Sequence, residues 1–170
     1  MPALQWGLDR GPKPGHGKFQ TIRGSDLLAG ARSLKLIQQP SVGYQHIDAA
    51  ACRAAGIRLA NTPGANTVSV AEHTVAWGLC LLRNLFAAQE SMREGRWEQL
   101  DIKPVELAGK IWGLVGLGRI GRAVALRLRP FDLGRVLYTD IERQAPEVEE
   151  EFGIEYAGLS DLLNLSDIVS

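Results

Sequence analysis

Ile111-Trp112-Gly113-Leu114-Val115-Gly116-Leu117-Gly118-Arg119-Ile120-Gly121 is the stretch that decides the fold. An apolar run ends in glycines spaced G-x-G-x-x-G, and an amphipathic pattern over 120–128 follows, stopped by Pro130. This reads as strand, tight turn and helix. Arg135 to Tyr138 is the next predicted strand, and it closes on Asp140, 19 residues after Gly121. Strand, glycine turn, helix, strand and acid in that order form the β-α-β pattern of a dinucleotide-binding fold. Gly116 permits the tight turn, Gly118 lets the backbone approach a pyrophosphate, and Gly121 lets the helix pack close to the strand. The free N–H groups and dipole of the helix N-terminus suit phosphates. Asp140 would accept hydrogen bonds from ribose hydroxyls and repel a 2′-phosphate, which favours NAD over NADP. A glycine turn in another α/β protein, with no cofactor, is the structural alternative. Arg143, three residues after Asp140, could reach a 2′-phosphate, but beside Asp140 it reads better as a surface arginine next to an acidic helix.

Downstream, Pro146 to Phe152 is a predicted helix ended by Gly153, and Ile154 to Tyr156 a short strand. Ser160 caps a helix through Leu165, and Asp167 to Ser170 opens a further strand. A parallel sheet left at that strand leads to the expectation that the chain is a fragment. Upstream lies a second β-α-β pattern. Leu34 to Ile37 is a strand, Ser41-Val42-Gly43-Tyr44 a turn, Ile47 to Ala55 an Ala-rich helix stopped by Gly56, and Ile57 to Ala60 a strand. Strand ends in parallel sheets are where ligands bind, and N–H groups around Gly43 could hold a carboxylate. Pattern alone reads that stretch as an ordinary β-α turn.

Ser69-x-x-Glu72 has the form of a capping box and opens the longest predicted helix, 69–88. Its apolar arc is too wide for a simple surface helix, so cover on more than one side is expected, from a domain or a second subunit. Residues 89–108 turn polar and read as an arm or connector. Ser25-Asp26 caps a short predicted helix over 27–31, and residues 1–20 show no periodicity.

The chain has 170 residues, with 19 Lys plus Arg and 19 Asp plus Glu, so it carries no net charge. That balance argues against a nucleic-acid partner. Residues 1–60 hold 8 basic and 3 acidic side chains, a bias suited to a small anion and equally to solvated surface. No stretch approaches the ~20 apolar residues of a membrane span, and residues 1–20 lack a secretory h-region. Cys52 and Cys80 sit in apolar helical patterns and read as core thiols in a reducing, cytoplasmic setting. His16, His46 and His73 lack metal-ligand spacing, so no metal is expected.

Several motifs in one order resemble the NAD-dependent D-2-hydroxyacid dehydrogenases, of the phosphoglycerate dehydrogenase and glyoxylate/hydroxypyruvate reductase type. They are Ser41-Val42-Gly43-Tyr44-Gln45-His46-Ile47-Asp48, Asn61-Thr62-Pro63-Gly64, Val70-Ala71-Glu72-His73, Gly95-Arg96-Trp97, Leu107-Ala108-Gly109-Lys110, Gly116 to Gly121, and Ser166-Asp167-Ile168-Val169-Ser170. The resemblance spans about Ser25 to Ser170. It implies an α/β architecture: part of a flavodoxin-like substrate domain over 1–65, then the first half of a Rossmann-like NAD-binding domain over 66–170. It implies that Val42 and Gly43 meet the substrate carboxylate and that Val70 lies near the nicotinamide. It implies that Arg119 and Ile120 bind the diphosphate, that Asp140 binds the ribose, and that the protein is a homodimer acting on a small 2-hydroxy or 2-oxo acid. It places the family's catalytic Arg, Glu and His beyond Ser170, so no catalytic residue is expected in this chain and activity of the chain alone is not expected. A non-catalytic NAD-binding or dimerisation module is the alternative reading.

Overall fold

The structure is a computed structural model that describes residues 33–97 and 103–170. The predicted helix over 27–31 and the unpatterned leader lie outside the described residues. The chain divides into two compact units, Met1–Thr62 and Pro63–Ser170. This division falls three residues before the boundary expected from sequence.

In the first unit, β1 (Leu36–Gln38) pairs in parallel with β2 (Arg58–Ala60), with Ile37 opposite Leu59. The crossover is α1 (Ala49–Ala54), two residues shorter at its start than the apolar pattern suggested. Asp48 sets that start because its carboxylate accepts the Ala51 N–H at 2.8 Å, which satisfies one of the orphan donors of the first turn. Gly56 turns the chain out of the helix at φ +69°, and Cys52 and Ile57 bury the inner face.

The second unit begins with α2 (Thr67–Leu82) and α3 (Leu85–Arg93). The sequence reading of one helix over 69–88 is corrected here. The chain breaks at Arg83-Asn84, where Asn84 takes the left-handed conformation at φ 49° and its side-chain amide donates to the Lys103 carbonyl at 3.1 Å. Asn tolerates that region better than other L residues, and the new bond fixes it there. The capping box does not form either. The helix starts two residues earlier, because Thr67 N–H bonds Gly64 O at 3.1 Å, and Ser69 donates its hydroxyl back to Asn66 O. The polar connector is likewise corrected in part: Leu107 is buried in the core, and Ser91 is buried with its hydroxyl on Arg96 O.

Four parallel strands follow, β3 (Ile111–Val115), β4 (Arg135–Thr139), β5 (Glu155–Tyr156) and β6 (Ile168–Val169), in the spatial order β5-β4-β3-β6. The connections are α4 (Arg119–Leu128), α5 (Pro146–Phe152) and α6 (Leu159–Leu165). Strands covered on both faces read as continuous apolar runs, and Trp112, Leu114, Leu137 and Tyr138 are all fully buried. Helix α2 joins that core through Ala71 and Val75, which cluster with Val124, Ala125 and Leu128 of α4. Gly78 is the close approach: a Cβ there would stand 2.3 Å from the Trp112 ring. Among the described residues, no helix is long and apolar enough to cross a membrane.

Candidate dinucleotide site

The glycine turn lies where β3 passes into α4, at the carboxyl end of the sheet. Gly116 has φ +103°, a conformation strained for any L side chain, and its N–H donates to Thr139 O at 2.8 Å. The turn is thereby tied to the end of β4. A Cβ on Gly121 would stand 2.2 Å from the Gly116 carbonyl oxygen, so only glycine lets α4 seat against the turn. Gly118 differs: a Cβ there would meet no protein atom within 4 Å. Protein packing leaves that position open, as expected where the backbone must admit a ligand. Arg122 N–H makes the first intrahelical bond, to Gly118 O at 3.0 Å. Among the described residues, the N–H groups of Gly118, Arg119, Ile120 and Gly121 have no acceptor within the chain. Four unpaired donors at a helix N-terminus are a ready phosphate cradle.

Asp140 closes the corner. Its Oδ2 accepts the Leu117 N–H at 2.7 Å and its Oδ1 accepts the Ile141 N–H at 2.8 Å. These two donors, that of Leu117 foremost, hold the carboxyl below the usual carboxylate range. Each oxygen still has a lone pair for a ribose hydroxyl. The open Gly118, the four N–H groups and the ionised Asp140 fit the pyrophosphate and ribose of NAD. Ile141 is fully exposed beside Asp140 and offers an apolar face at the same corner.

Sequence reasoning missed the polar cluster under this corner. Tyr138, buried on β4, donates its hydroxyl to Glu149 Oε1 at 2.7 Å and accepts the Gln144 N–H at 2.8 Å. Arg143 donates Nε and Nη2 to the two oxygens of Glu149, each at 2.9 Å. Arg122 donates Nη2 to Gln144 Oε1 at 2.7 Å and Nε to Leu117 O at 3.1 Å. A tyrosine in an otherwise apolar buried strand was the available signal, since a buried hydroxyl requires a partner.

Val70 is half-buried in the first turns of α2, its carbonyl accepting the Thr74 hydroxyl at 2.9 Å. In the first unit, the carbonyl of Val42 accepts from Asn61 Nδ2 at 2.8 Å, and that of Gly43 from the Ser41 hydroxyl at 3.0 Å and Gln39 Nε2 at 3.2 Å. Side chains thus hold the loop by its carbonyls, while the N–H groups of Val42 and Gly43 have no acceptor among the described residues. His46 sits in the turn before α1, and His73 Nε2 accepts the Trp77 indole N–H. Cys52 and Cys80 are free thiols, and no metal-holding cluster occurs among the described residues.

A parallel sheet with an open glycine turn and a carboxylate on the next strand defines a dinucleotide-binding protein. The family model for the D-isomer specific 2-hydroxyacid dehydrogenase NAD-binding domain matches residues 75–170, and the chain belongs to that family. It is 37% identical to a D-3-phosphoglycerate dehydrogenase of Sus scrofa over 86% of this chain and 27% of the relative. It is 40% identical to a formate dehydrogenase of Neurospora crassa over 86% of this chain and 40% of the relative. The chain therefore spans well under half the length of these curated relatives. Among solved structures it is similar to a D-lactate dehydrogenase of Aquifex aeolicus complexed with NAD and lactic acid. The TM-score there is 0.75 at 34% identity, covering 85% of this chain and 43% of that one. NAD is the cofactor that this domain takes.

Charge in the polar cluster sets an acid limit on stability. The Arg143 guanidinium, and after it the Tyr138 hydroxyl, hold the Glu149 carboxyl down from 4.5 to about 2. A depressed carboxyl stabilises the fold above its ordinary range, and that contribution is lost as pH falls towards the folded value. The urea midpoint is expected to drop between pH 4.5 and about 2 more steeply in the unmodified protein than in Glu149→Gln. Parallel pH profiles for the two proteins would show that the cluster carries no such linkage.

Proposed function

We propose that the chain serves a NAD-dependent oxidoreductase that moves a hydride between NAD(H) and a small 2-hydroxy or 2-oxo acid. The observation that carries this reading is the run of four N–H groups at the start of α4 without an acceptor among the described residues, next to a Leu117 N–H held by Asp140. Bound NAD would supply the hydride acceptor. The N–H groups of Gly118 to Gly121 bind the diphosphate, Asp140 orients the ribose, and Val70 lies on the nicotinamide side. The N–H groups of Val42 and Gly43 take the substrate carboxylate. Among the described residues none is assigned proton transfer; His73 Nε2 accepts the Trp77 indole N–H. A reducing, cytoplasmic setting belongs to the same proposal, on the sequence reading of Cys52 and Cys80 as core thiols.

A homodimer belongs to the same proposal. Trp77, Leu81, Leu85, Phe86 and Met92 leave α2 and α3 with a broad exposed apolar face, and Trp77 and Phe86 rings lie 5.4 Å apart on it. Faces of that kind mark interaction sites. Sedimentation velocity is expected to show a dimer that Leu81→Glu weakens; an unmodified monomer at micromolar concentration would contradict it.

Calorimetry with NADH and NADPH tests the cofactor half of the proposal. NADH is expected to bind the tighter of the two. Asp140→Ser should narrow the gap by roughly tenfold, the worth of a charged hydrogen bond and a removed repulsion. NADPH binding the unmodified protein as tightly as NADH would overturn the reading.

A further inference from the structure

The loop that leaves β4 carries both Asp140 and a cation of opposite consequence. Arg143 stands three residues on, at most about 10 Å along the chain. An extended arginine and a phosphate group together cover that span. A 2′-phosphate beside Asp140 would be bound by a guanidinium at that distance, because the planar fork of Arg matches phosphate geometry. The structure shows the guanidinium otherwise engaged. Its Nε and Nη2 form a fork-to-fork pair with the two oxygens of Glu149, and its Cζ lies 5.6 Å from the centre of the Tyr156 ring.

Glu149 is the fixed member of that pair. Its side chain is 13% exposed against 61% for Arg143. It sits within α5 and takes a further bond from the buried Tyr138 hydroxyl. The same hydroxyl accepts the Gln144 N–H, and Arg122 holds the Gln144 side chain. The segment from Asp140 to Gln144 is thus pinned at both ends, with Arg143 turned to the α5 side. Glu149 stays ionised through the neutral range, so the hold on Arg143 does not relax there.

We propose that Glu149 is a specificity-determining positioning residue: by clamping Arg143 it withholds from the ribose 2′ position the cation that would otherwise accept NADP(H). Rejection of the 2′-phosphate then has two sources, repulsion by Asp140 and sequestration of Arg143. Glu149 itself touches no cofactor. The proposal rests on the reading that NAD binds at the glycine turn.

Dissociation constants for NADH and NADPH, measured by calorimetry on the same chain, test it. Glu149→Gln is expected to raise NADPH affinity about tenfold, with NADH within about twofold of the unmodified protein. That gain should fall with added salt, as a partly exposed ionic contact does. The double variant Glu149→Gln/Arg143→Met should lose the gain. Arg143→Met alone, which leaves Glu149 and the fold in place, should leave NADPH binding unchanged. NADPH affinity unmoved in Glu149→Gln with NADH binding intact overturns the clamp. So does a gain that survives loss of Arg143, or a fall in NADPH affinity in Arg143→Met alone. Absence of NADH binding to the unmodified protein removes the cofactor reading itself, and the clamp with it.

Discussion

The 2.7 Å bond from the Leu117 N–H to Asp140 Oδ2 joins the first turn of the nucleotide fold to the end of its next strand. Much of the second unit serves to make that bond possible. Gly116 turns sharply enough to present the Leu117 N–H, and its own N–H is held by Thr139. The parallel register, with Val115 opposite Thr139, brings Gly116 and Asp140 to the same level. Gly121 then lets α4 close on the turn, and the N–H groups of its first turn have no acceptor among the described residues. Helix α2 covers the other side of α4, and the approach of Gly78 to Trp112 fixes how near it lies to β3.

Asp140 is therefore both structural and chemical. Two backbone donors hold its carboxyl below the usual carboxylate range, and an ionised carboxylate is a strong acceptor for a hydroxyl. The polar cluster behind it does similar work at one remove. Tyr138, Glu149, Gln144 and Arg122 satisfy one another in a corner that would otherwise leave a buried hydroxyl and a half-buried carboxylate unpaired. In the first unit, the loop at Val42-Gly43 repeats the principle: side chains hold the carbonyls, so the N–H groups stay available.

The glycine turn was legible in the sequence because each glycine answers a separate steric demand, and those demands are local. The bounds of β3 and α5 were legible for the same reason: apolar runs meet Gly116 at one end, and Pro146 and Gly153 bracket the other. The break at Asn84 was not, because it depends on an acceptor at Lys103, 19 residues away. The capping box misled because Ser69 and Glu72 have the right spacing while the chain has already turned helical at Thr67. The sequence places Arg143 beside an acidic helix, but which carboxylate of that helix it pairs with, Glu149, is set only by the packing of the helix against β4.

Proton–nitrogen NMR of the backbone during a titration with NAD addresses the central claim most directly, since the amides themselves are the proposed ligands. The account predicts that the N–H resonances of Gly118, Arg119, Ile120 and Gly121 shift together and saturate together. Saturating binding that leaves those four resonances in place, or no binding at all, would contradict it.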